Sequence, residues 1–232
     1  MNLTGKVVWL TGASSGIGEA LAYALAAKNV KLVLSARRIE ELQRVAQATR
    51  LSPENYLLLP LDLADQSNFE AKKNEVLQKF GRIDVLINNG GVSQRSLAKD
   101  TSLEVDRRLM EVNYFGTIAL TKVVMPEMIK QKDGLIATIT SAVGKFGSPW
   151  RSGYSASKHA LHGFFDSLRA ELFNDNVKLL LICPGFIQTN VSVNALTGSG
   201  AKLGSMDEAT AKGLTAKECA KRIVNAIAAE KE

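Results

Sequence analysis

Cysteine is nearly absent from this chain. Cys183 and Cys219 are the two it has, and their spacing matches neither a zinc site nor a CxxC pair, so a disulfide framework is unsupported and both are expected to be packing residues. Long apolar runs are missing as well. No eighteen apolar residues stand together and MNLTGKVVWL has no cationic lead-in, which argues against a membrane segment or a secretion signal and for a cytoplasmic protein. Clustered charge is a third absence. The formal charge of +6 comes from 29 basic and 23 acidic residues interleaved along the sequence, a pattern that disfavours nucleic acid as partner. His159 and His162 stand three apart with no acidic partner set, so no metal is assigned. What remains, 232 residues with 46% hydrophobic and 22% charged content, suits one α/β domain over residues 1–232 with a sizeable core.

Short apolar runs alternate with helical stretches. Val7–Leu10, Lys31–Ser35, Tyr56–Leu61, Ile83–Asn88, Leu135–Thr140 and Lys178–Cys183 read as six buried strands, and the segments between them as helices. That alternation predicts a doubly wound Rossmann domain with a parallel sheet of order 3-2-1-4-5-6 and helices on both faces. Ser67-x-x-Glu70, Thr101-x-x-Glu104 and Thr215-x-x-Glu218 are expected to cap helices. Pro126 is expected to kink or stop the long helix carrying Asn113. No internal repeat or second domain is visible. Residues 190–212, rich in Gly, Ser, Ala and Thr, are expected to form a substrate lid.

The first strand runs into Thr11-Gly12-Ala13-Ser14-Ser15-Gly16-Ile17-Gly18 and then a helix. Glycines at 12, 16 and 18 allow a tight turn and close approach of a pyrophosphate to the helix N-terminus. About twenty residues on, where a dinucleotide fold usually presents an acid to the adenosine ribose, stand Ala36, Arg37 and Arg38. Guanidinium groups can neutralise a 2′-phosphate, so NADP(H) is favoured over NAD(H). Asp62, at the end of the third strand, could accept from an adenine amine or merely cap its loop. Asn88-Asn89-Gly90-Gly91 is expected across from Gly12.

Tyr154 and Lys158 lie four apart on a predicted helix, so their side chains share a face. A cation beside a phenol lowers its pKa and makes it a usable proton donor and acceptor. Ser141, at the end of the fifth strand, could offer a hydroxyl to a substrate oxygen. By itself a Tyr-x-x-x-Lys pair is a weak signal.

The joint order of TGASSGIG at 11–18, NNGG at 88–91, Asn113, Ser141, YSASK at 154–158 and PGFIQT at 184–189 resembles the short-chain dehydrogenase/reductase family over nearly the whole chain. SARR at 35–38 and the residues around YSASK are most like its NADP-linked hydroxysteroid-type branch. The resemblance implies that Tyr154 is the general acid/base, Lys158 binds the nicotinamide ribose and lowers the Tyr154 pKa, Ser141 orients the carbonyl or alcohol, and Asn113 holds a relay water. It further implies cofactor contacts from Gly12, Ser14, Ser15, Gly16, Ile17, Gly18, Arg37, Arg38, Asp62, Leu63, Asn89, Gly91, Pro184, Gly185, Ile187 and Thr189.

Carbonyl reduction or its reverse on a small molecule is the activity implied, and a homodimer or homotetramer the assembly. A non-catalytic NADP-binding sensor or scaffold of the same fold is the alternative. Val143, Phe146, Trp150 and Phe186, with Leu196, Leu203 and Met206 of the lid, are pocket candidates and suggest an apolar substrate. Two departures stand out. Gly90 replaces the family's usual Ala. The chain also stops at Glu232, where relatives add a seventh strand, so either it is part of a longer protein or its sheet edge is uncovered.

Overall fold

The computed structural model describes residues 1–231. Six strands, β1 (Val7–Thr11), β2 (Lys31–Ser35), β3 (Tyr56–Leu58), β4 (Val85–Asn88), β5 (Gly134–Ile139) and β6 (Val177–Ile182), form one parallel sheet in the order β3-β2-β1-β4-β5-β6. Helices cover both faces, which is why these strands read as unbroken apolar runs: VVWLT of β1 and GLIATI of β5 are buried at every position. Helices α1 (Gly16–Ala26), α2 (Ile39–Thr49) and α8 (Ala216–Ala228) pack on one face through Leu21, Leu25, Val45, Ile223 and Ile227. Helices α3 (Phe69–Phe80), α4 (Leu103–Met110), α5 (Gly116–Gln131) and α6 (Ser152–Glu171) bury Phe69, Leu120, Val124 and Phe165 on the other.

The order in which successive strands are added reverses between β1 and β4, so the loops after these parallel strands part and open a crevice at their carboxyl ends. Beyond β6, a two-residue strand β7 (Ile187–Gln188) pairs with β8 (Leu214–Thr215), and between them lies the short α7 (Glu208–Ala211). No helix among the described residues is long and apolar enough to cross a membrane.

Several local expectations are corrected. Ser67 does not cap α3; its hydroxyl turns back to Asp65 Oδ1 at 2.6 Å, and Asn68 precedes the helix without a side-chain cap. Thr101 does not cap α4 either, because its Oγ1 donates to Leu97 O at 2.8 Å and Ser102 takes the N-cap place. Thr215 and Glu218 do form the capping box of α8.

Pro126 neither stops nor begins α5 but sits inside it. Lys122, whose carbonyl a proline four residues on cannot bond, is exposed along with Pro126, so water can satisfy the freed group. Strand β3 stops at Leu58 instead of Leu61. Pro60 has no N–H to give the ladder, although Leu61 N still donates to Ala36 O at 3.0 Å. Cys219 packs in the core, but Cys183 is exposed at the end of β6.

Candidate active site

The turn from β1 into α1 has Gly12 and Gly16 at φ +65° and +58°, a region that costs other residues strain. A side chain on Gly18 would run into the Gly12 carbonyl. Ser15 is the N-cap of α1 yet its hydroxyl bonds no helix N–H, so the first amides of an eleven-residue helix stay open to an anion. Asn89 staples the end of β4 to this turn. Its Nδ2 donates to Thr11 O at 3.0 Å and Gly12 O at 3.3 Å, while Thr11 Oγ1 accepts from Asn89 N and Gly90 N, each at 3.0 Å. Asn89 therefore shapes the turn with its amide nitrogen, and it also borders the cleft, where a cofactor contact was expected of it. A methyl at Gly90 would press on the Leu63 side chain.

Behind the turn, Arg44 of α2 is fully committed. Its guanidinium bonds Glu19 at 2.7 and 3.0 Å, Glu41 at 2.9 Å and Ser14 O at 3.2 Å. Arg37 and Arg38, by contrast, stand exposed at the mouth, with one 4.0 Å contact from Arg38 to Glu41. Asp62 Oδ1 caps its own loop by accepting Ala64 N at 3.0 Å, and the residue also borders the cleft.

Asn113 lies in a π-helical turn, Glu111–Phe115, between α4 and α5, the kind of helix irregularity that gathers at functional sites. It is buried, with Oδ1 accepting Val92 N at 2.8 Å and Nδ2 donating to Val92 O at 2.9 Å and Ser157 Oγ at 3.0 Å. Its side chain thus ties the β4 loop to α6. Gly91 fits between Asn113 and Lys158; a Cβ there would lie 2.9 Å from Asn113 Oδ1 and 3.7 Å from Lys158 Nζ.

Tyr154 opens the first turn of α6, and Lys158 follows one turn on, its Nζ 5.9 Å from the Tyr154 ring centre. Lys158 is buried and donates to Ile139 O at 2.9 Å. Burial pushes its pKa down to about 8. Burial raises the Tyr154 phenol, while a hydrogen bond with Ser141 and the charge of Arg151 pull it back. Arg151 is thus a second cation beside the phenol, in addition to Lys158, the one expected from the sequence. Ser141 is held extended at the end of β5, its Oγ accepting Val143 N at 3.4 Å.

A cleft of about 960 Å³ joins these parts. It runs from Ser14, Arg37 and Arg38 past Gly12, Ile17 and Asp62 to Ser141, Tyr154 and Lys158, and on to Pro184, Gly185, Ile187 and Thr189. Gly18 and Asn113 support its floor without lining it. Phe186 and Leu196 border the substrate end, whereas Val143, Phe146, Trp150, Leu203 and Met206 lie outside the walls. Val143 is buried beside the short helical turn Ala142–Gly144, and Phe146 and Trp150 face solvent at 59% and 54% exposure. The donors, glycine cradle and volume fit a nicotinamide dinucleotide. Among the described residues no His, Cys, Asp and Glu cluster suits a metal.

Gln94 is a residue that motif reading missed. Fully buried in the loop after β4, it accepts the Tyr154 N–H at 3.1 Å and donates to Thr101 Oγ1 at 2.9 Å. It therefore fixes the start of α6, and it is also paired with Leu196 in the 190–212 stretch. Within that stretch Leu196 and Lys202 form an antiparallel bridge, and an Arg95–Asp207 ion pair at 2.6 Å joins it to the loop after β4. Replacing Gln94 by Leu leaves the Tyr154 amide without a partner. Turnover should fall about 10–100-fold from misplacement of the phenol. The dissociation constant of the nicotinamide dinucleotide should stay within about threefold, and Gln94→Glu, which keeps the acceptor, should recover part of the loss. Steady-state kinetics and a cofactor titration read both.

A family profile described as "short chain dehydrogenase" matches residues 6–199. The chain is 49% identical over 236 residues to the dehydrogenase/reductase SDR family protein 7-like of Anopheles gambiae, covering 100% of this chain and 74% of that protein. It is 53% identical over 205 residues to human dehydrogenase/reductase SDR family member 7, covering 86% of this chain and 60% of that protein. It thus spans about three fifths to three quarters of the length of these relatives. A crystal structure of a short chain dehydrogenase/reductase from Burkholderia phymatum in complex with NAD superposes with a TM-score of 0.89 at 26% identity, covering 100% of this chain and 88% of that one.

Proposed function

The chain belongs to the short chain dehydrogenase family, and on that premise we propose that it moves hydride between NADP(H) and a carbonyl–alcohol pair, with Tyr154 handling the proton. The observation that carries this reading is the single cleft in which the open amides of α1, the Arg37–Arg38 pair and the Ser141–Tyr154–Lys158 group face one another. The bound cofactor supplies the hydride. This chain supplies everything else.

The α1 N-terminus would hold the pyrophosphate, and Arg37 and Arg38 the 2′-phosphate. No acid stands at the end of β2 to favour a free ribose, and nearby Glu41 is bonded to Arg44 at 2.9 Å. The B. phymatum relative carries NAD, so preference for NADP(H) rests on these arginines alone. Lys158 would hold the nicotinamide ribose, and Ser141 would donate to the substrate oxygen. Tyr154 would donate its proton to that oxygen as charge develops there. Residues 190–212 would close over the substrate. Cellular NADPH favours the reductive direction.

The pKa directions give a testable sign. A phenol raised above its ordinary value keeps its proton through the neutral range, as reduction requires, and Lys158 is charged only below about 8. The kcat/KM for reduction should therefore be level from about pH 6 to 7 and fall as pH passes 8. Alcohol oxidation, which needs phenolate, should instead rise with pH up to about 8 and level off above it, where the loss of charge on Lys158 offsets the gain of phenolate. Identical profiles for the two directions would be inconsistent with Tyr154 as the shared acid and base. A panel of ketones, aldehydes and steroids followed by NADPH absorbance tests the function itself; no consumption with any of them favours the sensor or scaffold alternative.

A further inference from the structure

The substrate end of the cleft is cationic. Arg95, Arg108, Arg151 and Lys202 all line it, whereas the acids that line the cleft, Glu19, Glu41 and Asp62, belong to the cofactor end. Arg95 is neutralised by Asp207. Arg108 and Lys202 are exposed and have no carboxylate within ion-pair distance among the described residues; Glu104, one turn before Arg108, contacts Arg107 instead at 3.8 Å.

Arg151 is the informative one. It is half-buried next to Tyr154, forms no salt bridge or side-chain hydrogen bond among the described residues, and lies over the Phe186 ring at 5.6 Å. Asp207, the acid nearest in charge, is already engaged by Arg95 and by the Thr210 N–H and hydroxyl. A guanidinium drawn partly out of water with no anion beside it costs stability unless a ligand supplies the partner. Burial and the repulsion of Arg95 both push its pKa down, in keeping with an unmet charge.

We propose that the substrate carries a carboxylate or a phosphate which Arg151 binds beside the reacting carbonyl, with Arg108 and Lys202 drawing it to the mouth. This rests on the active-site reading above and adds an anionic group to the apolar substrate expected from the sequence. Planar guanidinium donors match either anion bidentately. Val92, Phe186, Val191 and Leu196 line the same end and leave an apolar wall for the rest of the molecule.

The test is calorimetric titration of the NADPH-loaded protein with octanoate, octyl phosphate and octanol. At least one of the two anions should bind about tenfold or more tightly than the alcohol, and which one does names the anion. Arg151→Gln should erase that preference while leaving octanol unchanged, and Arg151→Lys should keep most of it. Equal affinity for all three probes, no measurable binding of either anion, or a uniform loss in Arg151→Gln would overturn the proposal. Anion binding without NADPH that Arg37→Ala/Arg38→Ala removes belongs to the cofactor end and also counts against it. Because no turnover is needed, failure here is distinct from a failure to reduce carbonyls.

Discussion

Tyr154→Phe should lower carbonyl turnover by about 10²–10⁴-fold while changing NADPH affinity by no more than about twofold. The substitution removes one oxygen and leaves a ring of the same shape. The backbone contact that fixes the start of α6, Tyr154 N–H to Gln94 Oε1 at 3.1 Å, involves no phenol atom. The glycine turn and the N-terminus of α1 lie at the other end of the cleft, so the phosphate contacts should survive. Neither neighbour can take over the proton. Ser141 would have to give up an unactivated hydroxyl proton, and Lys158 directs its ammonium to Ile139 O at 2.9 Å. Activity within tenfold of wild type would place the acid elsewhere.

Replacing both Arg37 and Arg38 with alanine should weaken NADPH about 100-fold and leave NADH within about threefold. A hydrogen bond to a charged group contributes about 1.5–3 kcal/mol, and about 1.4 kcal/mol is tenfold in affinity, so even two imperfect contacts reach that figure. Arg44, the other basic residue that lines this end of the cleft, is not free to compensate. It is held by Glu19 and Glu41, with contacts of 2.7 and 2.9 Å. The fold should not suffer, since both side chains are exposed and the Arg38–Glu41 contact is 4.0 Å long. Equal losses for NADPH and NADH would show that the arginines act on the site as a whole and do not read the 2′-phosphate.

Why some features were legible in the sequence and others were not follows from the distances involved. The strands of a sheet covered on both faces carry uninterrupted apolar runs, so β1, β2 and β5 stand out by themselves. The glycine turn and the Tyr154–Lys158 pair are local as well: a turn needs its residues adjacent, and one helical face needs them four apart. Where a side chain chooses between partners, sequence is silent. Ser67 and Thr101 have the spacing of a cap, yet each hydroxyl finds a nearer acceptor. Pro126 looks like a stop until the exposure of Lys122 shows that α5 can absorb the lost bond. Gln94 meets Tyr154 across 60 positions of chain, and that Arg151 has no salt bridge among the described residues emerges only once the chain is folded. Phe146 and Trp150 adjoin the candidate catalytic residues in sequence but face solvent and do not line the cleft, which their apolar character alone did not reveal.

Hydride transfer itself is the most direct thing to measure. The protein would be incubated with NADPH bearing deuterium on the transferring face of the nicotinamide, together with carbonyls that carry a carboxylate or phosphate, and the products examined by mass spectrometry. The expected product is an alcohol labelled once at the former carbonyl carbon, formed faster with NADPH than with NADH and at least about 100-fold more slowly in Tyr154→Phe. NADPH that binds tightly but keeps its deuterium with every carbonyl offered would contradict it and leave a cofactor-binding protein without catalysis.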